Sequence, residues 1–236
     1  MATDQRRRTA PATVSRNNAR TRWFHAGVYL TVLVLLFTGW WLTLGEEGEP
    51  SVLSKLTGTT DVDLHIFIGW VFAGLVALGV LVGWRGARTL VVDSVRFRRT
   101  DLRWFVRWPA AVFTGRFDRH EGHFDPGQRI MNVVLVVLLL TSTVTGFGLL
   151  AVSGGPAFVM YNELHRWATY LLTPAVIGHI VVAAGVLPGY RGVWRAMHLG
   201  GRLRVPVAQR LWPAWLERRQ RASGTSTDPR PGSPQR

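Results

Sequence analysis

The chain has 236 residues, 47% of them hydrophobic and 18% charged, yet it carries 28 Lys+Arg against 14 Asp+Glu, a formal net charge of +14. It contains no cysteine, which excludes disulfides, thioether-attached haem, cysteine-ligated iron–sulfur clusters and thiol catalysis. Such charge on so apolar a chain is self-consistent only if it is confined to segments outside long apolar runs, so its placement decides between a nucleic-acid surface and a membrane protein.

In chain order, residues 1–20 read as a disordered basic tail. Four apolar stretches then reach the roughly 20 residues a helix needs to cross a bilayer: Phe24–Leu44, Leu64–Trp84, Ile130–Ala151 and His165–Leu187. None holds Lys, Asp or Glu, and the one Arg, Arg166, stands at the start of the fourth, where it can snorkel outward. The first stretch is too long for a signal-peptide core and lacks a small-x-small cleavage site after it, so it is expected to stay as an anchor. Between spans two and three, Trp104–Phe113 is too short to cross and is expected to lie along the interface. The end of the chain, rich in Ser, Thr, Pro, Gly and Arg, reads as a second disordered tail, and no internal repeat is evident.

The charges sort by segment. Six Arg lie in the first 22 residues, nine from Arg85 to Arg119, and ten from Arg191 to Arg236. The connections 45–63 and 152–164 hold one basic residue, Lys55, and six acidic ones. The positive-inside rule puts both termini and the middle loop in the cytoplasm. Trp23, Trp40, Trp41, Trp84 and Trp167 fall at span ends, as interfacial aromatics do. The expected fold class is therefore an all-α membrane protein, a four-transmembrane-helix bundle with both termini cytoplasmic. The expected domains are a basic tail (1–20), a transmembrane domain (21–200) and an interfacial segment with its tail (201–236). The excess charge is an orientation signal and gives no support to nucleic-acid binding.

Four of the seven histidines, His25, His65, His165 and His179, lie in spans or at their ends, where ionisable residues are costly. Given this topology, His25 and His179 lie near the cytoplasmic face and His65 and His165 near the outer face. His165 and His179 are fourteen residues apart, about 21 Å of rise and only about 40° of rotation on a helix, so both face one side. Two depth-matched pairs, His25 with His179 and His65 with His165, are what two six-coordinate b haems need: neutral nitrogens above and below each iron in an apolar slot. A zinc or copper site would gather its ligands at one depth, and a di-iron site would need inward carboxylates. Gly27, Gly69 and Gly178 offer close approach of a flat macrocycle or of a neighbouring helix. Arg22, Arg129 and Arg166 stand where they suit haem propionates or lipid head groups. His120 and His123 read as loop residues or proton relays, and His198 as a surface residue.

The order Arg22-Trp23-Phe24-His25, Thr38-Gly39, Leu64-His65, Gly69, Phe124-Asp125-Pro126-Gly127-Gln128-Arg129, Val144-Thr145-Gly146, His165 and His179, then Trp212-Pro213-Ala214-Trp215, resembles the cytochrome b (gamma) subunit of membrane-bound formate dehydrogenases, within the wider family of four-helix di-haem cytochromes. The likeness spans about residues 20–220. It implies the same two histidine pairs and a quinone site beside the cytoplasmic haem, approached by Asp125, Gly127 and Gln128. Asp125-Pro126 stands where that family has Asn-Ala, and an ionised Asp only accepts hydrogen bonds. Asp125-Pro126-Gly127 also reads as a turn with a helix start, and Gln128 as a helix cap. The resemblance implies electron transfer from an iron–sulfur (beta) subunit, and through it a catalytic dehydrogenase subunit, to menaquinone or another quinone across a bacterial inner membrane. The alternatives are a stand-alone b561-type quinol-linked cytochrome and a haem-free transporter or scaffold.

Overall fold

The computed structural model describes residues 13–45 and 49–222. The remaining parts of the two expected tails lie outside the described residues. The chain begins with β1 (Thr13–Ser15) and α1 (Ala19–Leu44), followed by the short α2 (Val52–Thr57), α3 (Asp61–Val82), α4 (Trp84–Ser94), α5 (Arg99–Thr114), α6 (Pro126–Ala151) and α7 (Gly155–Ala183). A 3₁₀ turn (Pro188–Tyr190), α8 (Arg195–His198), β2 (Arg202–Arg204), α9 (Val205–Leu211) and α10 (Pro213–Ala222) complete it.

By length and apolarity α1, α3 and α6 each suffice to cross a membrane, and α7 joins them if it and the Pro188–His198 segment, bent from it by 62°, form one broken span. Their side chains are mostly exposed, as in Phe67, Trp70 and Leu81 of α3, which fits a lipid-facing surface. The long helices pack in pairs, α1 along α3 and α6 along α7, with slighter contact of α1 with α7 and of α3 with α6.

The helix boundaries correct several expectations, each for a local reason. α6 starts at Pro126, four residues before the apolar run. Asp125 is its N-cap, accepting from Gln128 N at 2.8 Å, and Pro126 follows at the first position, where a missing N–H costs nothing. α7 starts ten residues before His165, at Gly155, with Pro156 in its first turn. It stops at Ala183 rather than Leu187, because Gly185 takes φ 72° and Pro188 cannot continue the helix. The N-terminal segment is ordered from Thr13: β1 pairs antiparallel with β2, Val14 opposite Leu203.

That pairing belongs to a cap at one end of the long helices. The buried apolar core of the chain lies there: Val112, Tyr190, Ala196, Leu203, Ala208, Leu211, Trp212, Trp215 and Leu216. α5 contains the stretch expected to lie along an interface, and it is amphipathic. Trp104, Ala111 and Val112 are buried in the cap, whereas Leu102, Val106 and Phe113 are exposed on the opposite side. Ion pairs Arg119–Glu217 and Arg218–Glu121 tie the 115–125 segment to α10. Residues 201–222 are thus part of a folded cap.

Candidate functional site

The four long helices bring the four histidines together as two pairs. His25 of α1 faces His179 of α7 near the cap, with ring centroids 6.3 Å apart and planes 46° apart. His65 of α3 faces His165 of α7 toward the other end, with centroids 6.1 Å apart and planes 81° apart. A metal–imidazole bond is about 2 Å and the ring nitrogen lies about 1 Å from the ring centre, so one metal ion between two imidazoles sets their centroids about 6 Å apart. Both pairs meet that spacing. α7 supplies one member of each, fourteen residues apart, and so stacks the two sites about 21 Å apart along its axis.

The surroundings suit a flat group. A Cβ added at Gly69, one turn after His65, would meet nothing within 4 Å, and one at Gly178 only Met131 Cε at 3.9 Å. Gly27 differs: its Cβ would lie 2.9 Å from Leu75 Cδ2, so it serves helix packing. The residues present therefore fit two bis-histidine haems. Among the described residues no group of three or more His, Asp or Glu converges as a metal site.

Sequence reasoning named two further residues of this site, in the Thr38-Gly39 and Thr145-Gly146 steps, without giving them a role. Thr38 Oγ1 is 2.8 Å from His65 Nδ1, and Thr145 Oγ1 is 3.0 Å from His165 Nδ1. Both threonines are buried. The signal was the Thr-Gly dipeptide that occurs late in α1 and again in α6.

The arginines divide. Arg129 is buried and uses four of its five N–H donors: it donates to Phe124 O at 3.1 Å, Arg96 O at 2.8 Å, Asp101 Oδ2 at 3.0 Å and Glu121 O. Buried and held by these four contacts, it faces the cap and not a lipid surface. Arg166 is exposed and donates to Glu163 and to the Tyr170 hydroxyl. Arg22 Nε is buried without a partner, at the cap end of α1.

Asp125, Gly127 and Gln128 share the first turn of α6 beneath the cap. Asp125 and Gln128 form a reciprocal capping box, so the capping role is real. Gln128 Oε1 also accepts from Trp212 Nε1 at 3.1 Å, and a Cβ at Gly127 would lie 2.9 Å from Trp104 Cη2. Burial raises the Asp125 carboxyl above its ordinary range, against the opposing pull of the Gln128 backbone, His120 and Arg16. Arg16 comes from the N-terminal segment, stacks its guanidinium over Trp212 and Trp215 at 4.5 and 4.3 Å, and donates to His123 O at 2.5 Å.

His120 is not a solvated loop residue: it is buried, with Nε2 2.8 Å from Leu211 O. His198 is exposed, as expected, with its ring 5.9 Å from that of Tyr29. His123 is partly buried, and burial first, then Arg16, lowers its pKa from 6.5 to about 4. Its folded value lies below its unfolded value, so the unfolded chain binds more protons between these limits, and stability falls as pH drops from about 6.5 toward 4. Asp125, raised by burial, acts with the opposite sign. Thermal unfolding of detergent-solubilised protein is expected to lose less over this window in His123→Gln than in the parent. Equal losses would contradict the assignment.

No curated protein matches the chain. A family model described as prokaryotic cytochrome b561 matches residues 16–233, which covers all four long helices and both histidine pairs. The chain therefore belongs to the prokaryotic cytochrome b561 family, membrane proteins that bind haem b and transfer electrons.

Proposed function

We propose that this chain is the membrane-anchoring electron-transfer subunit of a respiratory oxidoreductase in a bacterial inner membrane. It crosses the membrane four times, with the cap and both termini cytoplasmic, and carries two b haems, His65/His165 on the outer side and His25/His179 on the cytoplasmic side. The observation that carries this reading is the two pairs of facing imidazoles, fourteen residues apart along α7, each at iron-bridging separation. Haem supplies one-electron carriers that the protein's own side chains lack. The chain's residues hold those carriers at two depths, exclude water from them with apolar helices, and align them across the membrane.

The cysteine-free sequence holds no iron–sulfur cluster of its own; in the formate dehydrogenase-like reading, a partner subunit would carry such clusters and deliver electrons on the side of His65 and His165. Menaquinone or another quinone would take them on the side of His25 and His179. Gln128, Asp125 and Gly127 border that quinone site. Asp125, kept protonated more readily than a surface carboxyl, is suited to hold a proton there. The family match favours equally a stand-alone cytochrome that exchanges electrons with quinol and a small acceptor.

The test is reoxidation of the reduced chain in proteoliposomes by a water-soluble menaquinone analogue. Gln128→Ala is expected to slow reoxidation and weaken inhibition by quinol analogues, with both haem bands intact. Unchanged kinetics and inhibition would remove Gln128 from the quinone site. Co-purification with an iron–sulfur subunit separates the complex from the stand-alone reading.

A further inference from the structure

The two pairs differ in what holds their rings. At the far end from the cap, each histidine rests on a Thr-Gly step of a neighbouring helix. Thr38 of α1 meets His65 Nδ1 at 2.8 Å, and a Cβ at Gly39 would lie 3.4 Å from His65 Cε1. Thr145 of α6 meets His165 Nδ1 at 3.0 Å, and a Cβ at Gly146 would lie 3.5 Å from His165 Cε1. Glycine lets the ring sit on the helix, and the hydroxyl one residue earlier catches its inner nitrogen. A side chain bulkier than alanine at either glycine would push the ring away.

The helix carbonyls beside each threonine favour one direction for these hydrogen bonds. Thr38 Oγ1 donates to its own helix, with Val34 O at 2.9 Å and Leu35 O at 3.3 Å, and Thr145 Oγ1 donates to Thr141 O at 2.7 Å or Ser142 O at 3.2 Å. With its one proton so used, each hydroxyl has only lone pairs to offer, so each histidine donates Nδ1–H. That leaves Nε2 of each ring as the nitrogen with a free lone pair. At the cap end, His25 Nδ1 is buried with no hydrogen-bond partner. An acceptor on the outer nitrogen of a metal-bound imidazole makes it a more basic ligand, and a more basic ligand favours ferric over ferrous iron.

We infer that Thr38 and Thr145 are positioning residues that fix the tautomer and tilt of His65 and His165 and lower the reduction potential of the haem they hold. This rests on the di-haem reading above. Its consequence is directional: a donor-side haem made less oxidising passes electrons more readily toward the cap.

The test is a spectroscopic redox titration of the purified chain carrying Thr38→Val, Thr38→Ser or Thr145→Val. A neutral hydrogen bond contributes modestly, and only part of its contribution differs between oxidation states. At fixed ambient potential Thr38→Val should therefore raise the ferrous-to-ferric ratio of the far-end haem about threefold, a midpoint rise of ~30 mV at 59 mV per decade for one electron. Thr38→Ser, which keeps the hydroxyl, should restore the parent midpoint, and the cap-end haem should not move. The Ser142 carbonyl also accepts from the His165 ring, so Thr145→Val should shift the midpoint in the same direction by less. An unmoved far-end midpoint with both haems present overturns the inference and leaves the di-haem reading standing, as does an equal shift of both haems. Absence of two b-type haems from the parent chain overturns both.

Discussion

Replacing His65 or His165 with alanine removes the low-spin signal of the same b-type haem, and replacing His25 or His179 removes that of the other. The expectation follows from the 6.1 and 6.3 Å centroid separations within pairs and from the ~21 Å that α7 puts between its two histidines. Six-coordinate iron needs both imidazoles, so losing either ligand abolishes the low-spin state at that site. At about 21 Å the second site has no direct contact with the first and keeps its own ligands. Each single variant should therefore retain about half of the parent low-spin signal, measured in the reduced-minus-oxidised optical spectrum of purified protein. If His25→Ala and His65→Ala removed the same signal, the pairing would be wrong.

The second large effect lies in the cap. Arg129 and Asp101 form an ion pair at 3.0 Å with both side chains almost wholly buried. Arg129 also joins the 115–125 segment, through Glu121 O and Phe124 O, to Arg96 O before α5, and Asp101 Oδ2 accepts from Arg98 N at 2.9 Å at the start of α5. Arg129→Met leaves a buried carboxylate without its partner, which costs roughly 3–5 kcal/mol. Removing both charges, Arg129→Met with Asp101→Leu, should recover much of that loss, because a buried pair exchanged for apolar groups is often near neutral. A residual loss should remain, about 1 kcal/mol for the missing cap of α5 and more for the carbonyls of Arg96, Glu121 and Phe124 that lose Arg129. Chemical denaturation in detergent micelles reads these differences. A double variant no more stable than Arg129→Met alone would show that the pair is not the source of the loss.

The apolar runs carried the long helices, because a residue facing lipid must be apolar all round, and such a run is visible without tertiary information. The sorted arginines gave each helix a direction, and direction gave each histidine a depth. The start of α7 was less visible because Tyr161, Asn162 and Glu163 break the apolar run, although Gly154-Gly155-Pro156 marks the helix start. The cap was hidden for another reason. Its core joins Val14, Val112, Tyr190, Leu203 and Trp215, residues scattered along the whole chain, and no local periodicity reports such an assembly. Arg129 looked like a free cation for the same reason, since its partners Arg96, Asp101 and Glu121 lie 8 to 33 residues away. The threonines under His65 and His165 were present as Thr-Gly dipeptides, but a hydroxyl's partner 27 or 20 residues away cannot be read from the dipeptide itself.

Two double variants test the central claim most directly, by haem content per purified chain. His25→Ala with His179→Ala strips one pair and is expected to retain one intact low-spin haem, as is His65→Ala with His165→Ala. His25→Ala with His65→Ala breaks both pairs and is expected to retain none. A low-spin haem surviving in the cross-pair variant, or none surviving in either within-pair variant, would contradict two bis-histidine sites built on α7.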